Sequence, residues 1–142
     1  MIKREDIIGY KKENSFKGVV LENILEFSRD RIGFELVKLP NSKTNKIAVG
    51  SSIDFEAENV MKILIEKNVS ELKKYLPIQG KEIKPLYLFL DEEVLLYAKL
   101  RNLKFKQKKE KEDKIQKFTN EFEKKHPELK RAIVNTILEL YK

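Results

Sequence analysis

The chain has 142 residues and a net charge of +7, with 30 lysines and arginines against 23 aspartates and glutamates, and this length fits one ordinary domain with a continuous apolar core. It contains no cysteine, which excludes disulfides, thiolate zinc sites, sulfur-ligated iron–sulfur clusters and persulfide relay through these residues. Its charged start (MIKRED) is unlike a signal peptide and its longest apolar run is too short to span a bilayer, so we expect a cytoplasmic protein.

A short strand and an amphipathic helix are the first predicted elements. Ile7, Ile8 and Gly9 are compatible with the strand. Residues 18–31 carry apolar side chains at helical spacing on one face and charged side chains on the other, which predicts a helix that ends at Gly33. Residues 10–17 (YKKENSFK) are then the connecting loop.

Two further strands are predicted at residues 34–39 (FELVKL) and 46–49 (KIAV). Six residues rich in turn formers, PNSKTN, separate them. A parallel crossover normally needs a dozen or more residues, so we favour an antiparallel hairpin, with parallel strands as the alternative.

Residues 53–66 predict the next helix, because their apolar side chains form a stripe at helical spacing. Asp54 and Glu56 fall in its first turn, where the helix dipole favours negative charge. We therefore interpret both acids as structural. The functional alternative is a residual metal or nucleotide contact by Asp54.

The segment after Pro85 combines an apolar run with a helix start. Residues 86–90 (LYLFL) suit a buried strand that begins with a proline. Asp91 is expected to cap the following helix, whose first turn holds Glu92 and Glu93.

Residues 99–117 hold nine basic and three acidic residues. Clustered lysines beside an aromatic suit a phosphate backbone with an unpaired base, whereas the alternative is a solvated connector. Lysine suits contacts with the phosphate backbone and the shape of an RNA better than recognition of individual bases. The candidate RNA-binding residues are Lys84, Arg101, Lys104, Phe105, Lys106, Lys108, Lys109 and Lys111.

The tail predicts two helices. Ile115, Phe118 and Phe122 lie on one face of residues 113–125, and Pro127 is expected to begin a second apolar-striped helix. Any apolar face that the sheet cannot cover would be a partner surface. His126 is the one histidine, and we expect it in a turn at a helix start, since no motif accompanies it.

Four segments in order carry a family resemblance, over about residues 46–141. The first reads G-S-S-I-D-F-E-A, and the second, I-K-P-L, is followed by E-V-x-x-Y-A; the last lies around residues 118–127. Together they resemble the PP-loop ATP pyrophosphatases that thiolate tRNA, of the NcsA/TtuA type, whose segments read T-G-H-N-x-D-D-E-A, R-I-K-P-L, P-E-K-E-V-x-x-Y-A and L-N-E-L-E-E-K-H-P. The matching residues are Gly50, Asp54, Glu56, Ala57, Ile83, Lys84, Pro85, Leu86, Glu93, Val94, Tyr97 and Ala98.

The departures from the family fall on its chemistry. Ser51 and Ser52 stand where the family has His and Asn, Phe55 where it has the second Asp, and Glu82 where it has Arg. Residues 104–111 (KFKQKKEK) hold lysines where the family's cysteine follows. The loop YKKENSFK has neither a glycine pair nor the Lys-Asp-Ser of the family's S-G-G-K-D-S phosphate loop; it is either a descendant that has lost the family's way of binding phosphate or a solvated connection.

The resemblance implies an α/β fold: a small, mostly parallel sheet flanked by helices, a truncated PP-loop (adenine nucleotide alpha hydrolase-like) fold with a helical C-terminal extension. Residues 1–103 would form the degenerate PP-loop-like domain, and residues 104–142 a basic connector and helices packed on it. One antiparallel edge hairpin is compatible with this fold.

The implied function is that of a pseudoenzyme without a cofactor. It would act as a noncatalytic partner or tRNA-binding subunit in wobble-uridine 2-thiolation, paired with a cysteine-bearing PP-loop protein, in a homo- or hetero-oligomer. The alternatives are a nucleotide-binding module or enzyme with a non-standard loop, and a homo-oligomeric structural protein.

Overall fold

The computed structural model describes residues 1–107 and 112–142. Within these ranges the chain forms one sheet, five α-helices and a 3₁₀ helix. The strands are β1 (Ile7–Tyr10), β2 (Glu35–Lys38), β3 (Lys46–Ala48), β4 (Ile78–Gln79) and β5 (Glu82–Ile83). The helices are α1 (Phe16–Ile32), α2 (Ile53–Glu66), the 3₁₀ helix (Val69–Tyr75), α3 (Asp91–Leu100), α4 (Lys114–Lys125) and α5 (Leu129–Leu140).

The sheet has the strand order β2-β1-β3-β5-β4. β1 pairs in parallel with β2 and β3, and β3 pairs in parallel with β5. The edge strand β4 is antiparallel to β5, and Gly80 with φ of 57° makes the tight turn between them. The predicted fold class is therefore confirmed.

The favoured hairpin between the second and third strands is wrong, because β2 and β3 lie on either side of β1 and run parallel to it. β2 ends opposite Tyr10, whereas β3 begins opposite Ile8. The connection therefore returns only about 7 Å along the strands and about 10 Å across them. Residues 39–45 can span that path without a helix.

Gly9 makes this short crossover possible. The Leu39 N–H donates to Tyr10 O at 2.9 Å and the Asn45 N–H donates to Ile7 O at 3.0 Å, so the connection passes directly over β1. A Cβ at Gly9 would lie 2.6 Å from Leu39 Cδ2 and 2.7 Å from Thr44 Cγ2. Only a residue without a side chain fits beneath the connection.

The first predicted helix is confirmed and begins two residues earlier than its apolar stripe. Ser15 caps α1 by accepting the Gly18 N–H at 3.1 Å, and Gly33, with φ of 90°, ends the helix in the left-handed conformation. The helix packs on the sheet and on α3 through a buried cluster that includes Ile8, Tyr10, Val20, Leu21, Leu25, Phe34, Val94 and Ala98.

The strand predicted at residues 86–90 is wrong, because these residues form successive turns. The Tyr87 N–H donates to Lys84 O, and the Phe89 N–H donates to Leu86 O. Two neighbours point inward and the next two outward: Leu86 and Tyr87 are buried, whereas Leu88 and Phe89 are about half exposed. A continuous apolar run does not by itself distinguish a buried strand from such a turn.

The cap predicted for α3 is displaced by one residue. The N-cap is Leu90, whose N–H donates to Glu93 Oε2 at 2.8 Å, and Asp91 is the first helical residue. The carboxylate of Asp91 is thereby left to bind partners on other elements.

The two tail helices are confirmed. Asp113 caps α4 by accepting the Gln116 N–H at 2.8 Å, while α5 starts at Leu129, two residues after Pro127. Val134 and Ile137 of α5 are buried against residues of α2. Among the described helices, none combines the length and apolar character that a bilayer crossing requires.

Candidate functional site

The candidate site is the crevice at the carboxyl ends of β1 and β3. β2 and β3 lie on opposite sides of β1, so the chain reverses direction across the sheet here. Open α/β sheets bind ligands at such a switch point. A cavity of about 730 Å³ lies here, and its lining includes Lys11, Ser15, Lys17, Gly50, Phe55 and Lys106.

The loop between β1 and α1 folds back onto the first turn of the helix. The side chain of Ser15 accepts the Gly18 N–H, and Ser15 O accepts the Val19 N–H at 3.0 Å. Glu13 lies against Gly18 so closely that a Cβ there would be 2.7 Å from Glu13 Cβ. The Gly18 amide, one of those that a helix N-terminus offers to a phosphate, is therefore used internally, and Glu13 packs against the same turn.

Asp54, on the first turn of α2, binds two other helices. It accepts the Asp91 N–H at 2.7 Å, which caps α3 from outside, and it forms an ion pair with Lys130 of α5. Lys130 also binds Glu123 at 2.7 Å. Burial lowers the pKa of Lys130, but its hydrogen bonds to Asp54 and Glu123 outweigh burial and raise the pKa above its usual range.

Glu56 is fully buried and forms an ion pair with Lys84 at 2.9 Å. Ser51 Oγ also donates to this carboxylate, and Lys84 donates to Lys74 O at 3.1 Å. Among the described residues, Glu56 Oε2 has no hydrogen-bond partner. Burial, and then the charge of Glu56, raise the pKa of Tyr87 to about 12.

Asp91 completes the set of paired acids. Its carboxylate lies 3.1 Å from Lys17 Nζ and accepts a hydrogen bond from Ser52 Oγ. Ser51 and Ser52, which stand at the positions of the family's His and Asn, are thus both directed at acids of this chain. Asp54, Glu56 and Asp91 each have a lysine from a distant element as counter-ion.

The predicted RNA-binding residues separate into two groups. Lys84 is buried, so the structure removes it from any RNA-facing surface. Phe105 is half-buried against Phe16, with ring centroids 6.3 Å apart, so its ring anchors the segment and is not presented for base stacking.

The remaining candidates that the structure describes are at the surface. Arg101 is exposed and lies 5.7 Å from the ring centroid of Tyr97, and Lys104 and Lys106 are also exposed. The Lys106 N–H donates to Asn14 O at 2.7 Å, which holds this segment beside the crevice. Lys108, Lys109 and Lys111 lie outside the described residues.

Sequence reasoning missed Lys130, the buried lysine that joins α2, α4 and α5. A signal was present, because Lys130 lies on the same helical face as Ile133, Val134 and Ile137. A lysine within an apolar stripe indicates a buried ion pair, since an unpaired buried charge is too costly.

No family model matches the chain, and no curated protein matches it by sequence. Among solved structures, it is similar to the U34-tRNA thiolase NcsA from Methanococcus maripaludis, which was solved with its 4Fe–4S cluster. The TM-score is 0.74 at 19% identity, over 97% of this chain and 72% of that chain. The chain has the fold of a tRNA thiolase. This likeness confirms the PP-loop-like fold that the motifs implied.

The cluster of that thiolase has no fitting ligands in this chain. Fe–S clusters of this kind are held by cysteine thiolates, and none of the 142 residues is a cysteine. The described residues also contain no group of three or more His, Cys, Asp or Glu side chains arranged to hold a metal ion.

Proposed function

We propose that this chain is a noncatalytic PP-loop-like protein that serves as a partner or tRNA-binding subunit in wobble-uridine 2-thiolation. One observation carries the proposal: the thiolase fold is retained, while Asp54 and Glu56 in the first turn of α2 and Asp91 in the first turn of α3 are each paired with a lysine of the same chain. Acids that are occupied by internal lysines suit a binding role better than a catalytic one.

The ion pairs support a noncatalytic role, because they occupy acids that could otherwise hold a metal ion. A magnesium ion that recruited Asp54 would have to displace Lys130, whose side chain is 6% exposed. Lys130 would then keep only Glu123 as its counter-ion. The internal lysine therefore competes with a cation for that carboxylate.

The missing chemistry would come from a cysteine-bearing PP-loop protein. This chain would complete the assembly and offer cations to the RNA. Arg101, Lys104 and Lys106 are exposed, Lys106 lines the crevice, and all three suit contacts with a phosphate backbone. Such contacts hold a tRNA in place without reading its sequence.

Two measurements in the source organism test the proposal. The tagged chain is expected to co-purify with a cysteine-bearing PP-loop protein, and a deletion strain is expected to lose 2-thiolated uridine, measured by mass spectrometry of digested tRNA. Unchanged thiolation in the deletion strain would overturn the proposal.

A charge-variant pair tests the RNA contact in vitro. A triple variant with glutamine in place of Arg101, Lys104 and Lys106 is expected to bind tRNA more weakly. The slope of log affinity against log salt concentration should also become shallower, by about 0.7–0.9 for each lost phosphate contact. The matched control carries glutamine at three exposed lysines elsewhere, Lys38, Lys67 and Lys81. Equal weakening in both variants would mean that only net charge matters.

One observation favours a second candidate function, a nucleotide-binding module. Three lysines, Lys11, Lys17 and Lys106, line the crevice cavity of about 730 Å³ against two acids, Glu13 and Asp91, so the lining keeps a net positive charge that suits a polyphosphate. Calorimetry with ATP and magnesium separates the two functions. The noncatalytic proposal expects no measurable heat, whereas a nucleotide-binding module expects saturable heat that Lys17→Gln removes.

A further inference from the structure

Helix α4 presents a row of aromatic rings to solvent. Phe118 is 56% exposed and Phe122 is 41% exposed. The ring centroids of Phe118 and Phe122 are 6.1 Å apart, and His126 stacks on Phe122 at 4.9 Å with an interplanar angle of 27°. We call Phe118, Phe122 and His126 the aromatic ridge. A shallow groove of about 420 Å³ runs beside it.

The fold does not need these rings for its core. The neighbouring side of α4 makes the packing contacts, since Thr119 is buried and Glu123 pairs with the buried Lys130. Large apolar side chains aligned on an exposed helix face mark a binding surface more often than single exposed residues do.

The charge around the aromatic ridge is positive. Lys114, Lys117, Lys124 and Lys125 are exposed on α4, and none of them forms an ion pair with another described residue. Two acids lie beside the ridge: Glu121 lines the groove with Lys124 and Lys125, and Glu128 lies 3.6 Å from His126 Nδ1. The four exposed lysines outnumber these acids, so the surface combines aromatic rings with an excess of positive charge.

We infer that the aromatic ridge is a stacking platform for unpaired bases of an RNA. Bases stack on exposed aromatic rings while lysines follow the phosphates, and this combination binds single strands without sequence preference. The cations favour RNA over a protein partner, since every nucleotide brings one negative charge. The inference rests on the proposed function and deepens it, because it directs this surface to a single-stranded loop of the tRNA.

Binding of a short, unstructured oligoadenylate RNA to the full chain tests the platform. Fluorescence anisotropy gives the affinity, and a 2-aminopurine base in the RNA reports stacking. Phe118→Ala and Phe122→Ala are each expected to raise the Kd about 5- to 150-fold, the effect of losing one stacked base. Phe122→Trp is expected to bind as well as the wild type or more tightly.

Phe27→Ala is the matched control. Phe27 is 53% exposed on α1 and lies 5.5 Å from the guanidinium of Arg31, so it is also an exposed ring beside a cation. It is expected to leave the Kd unchanged. Lys117→Gln and Lys125→Gln are each expected to reduce the log–log salt slope by about 0.7.

Three outcomes would overturn the platform. The first is wild-type affinity in the double variant Phe118→Ala/Phe122→Ala. The second is competition by a fully paired RNA duplex that equals competition by the single strand. The third is self-association, measured by sedimentation, that the double variant abolishes while RNA binding persists, which would assign the rings to a protein contact.

The platform and the proposed function fail separately. The platform alone would be refuted if the chain co-purifies with the cysteine-bearing partner and supports thiolation, yet binds RNA equally well without its ridge rings. The proposed function alone would be refuted if the ridge binds RNA but deletion of the chain leaves thiolated uridine unchanged.

Discussion

The first turns of α2 and α3 differ from the aromatic ridge in how lysine is used. At these first turns, Lys17, Lys84 and Lys130 each pair with an acid, and two of these lysines are buried. On the ridge side of α4, exposed lysines surround exposed phenylalanine rings. This contrast shows that the number of lysines alone does not define a cationic surface, because burial and an acid partner decide which lysines present their charge to solvent.

The largest expected effect comes from breaking the buried pair of Lys84 and Glu56. Lys84→Met leaves the Glu56 carboxylate buried without its counter-ion, so we expect the free energy of unfolding to fall by about 3–5 kcal/mol in urea denaturation. The double variant Lys84→Met/Glu56→Leu removes both charges and should recover most of the loss. A single variant as stable as the wild type would show that the pair is not structural.

The dependence of stability on high pH tests the surroundings of the Lys84–Glu56 pair through Tyr87. Its folded pKa of about 12 lies above the unfolded value near 10, so the stabilising contribution is complete below pH 10 and is lost as pH rises towards 12. We expect the wild type to lose on the order of 2 kcal/mol over this window. Tyr87→Phe should lack that loss, and Tyr97→Phe should keep it, in urea denaturation at stepped pH.

We expect a smaller loss of stability from a substitution in the loop between β1 and α1. Ser15→Ala removes the side-chain cap of α1 and is expected to cost about 1 kcal/mol of unfolding free energy. Ser15→Asp should restore a cap and most of the stability. If Ser15→Ala instead creates measurable ATP binding by calorimetry, the cap was competing with a phosphate for the Gly18 amide.

The smallest stability effect is expected on the ridge. Phe118→Ala and Phe122→Ala should each lower the unfolding free energy by less than about 1 kcal/mol, because both side chains are only about half buried. Phe34→Ala, at a buried ring, is the contrast and should cost about 3–5 kcal/mol. A large loss at Phe118 would mean that its ring belongs to the core.

Local patterns predicted the helices well. The apolar stripes of α1, α2 and α4 place these helices within a few residues of their observed bounds, because a helix that buries one face must repeat apolar residues at its own period. The hairpin between β2 and β3 was wrong because loop length alone was considered. The strands are so short that seven residues suffice to return, and Gly9 leaves room for them.

The site was harder to predict because it depends on long-range pairs. Lys84 carried the sequence signal of a surface cation, but its partner, Glu56, lies on another element and is buried. Phe105 lay among lysines, yet it packs on Phe16, far away in sequence. Exposure decides between an RNA contact and a core contact, and the local patterns around Lys84 and Phe105 do not report it.

Lys130 also has a consequence for the order in which the molecule assembles during synthesis. It joins Asp54 to α5 across a separation of 76 residues. The first turn of α2 therefore leaves the ribosome long before its counter-ion exists. Until α5 emerges, the nascent chain holds an acid without its lysine and an apolar α2 face without its cover, so consolidation of this layer must wait for the C-terminal helices.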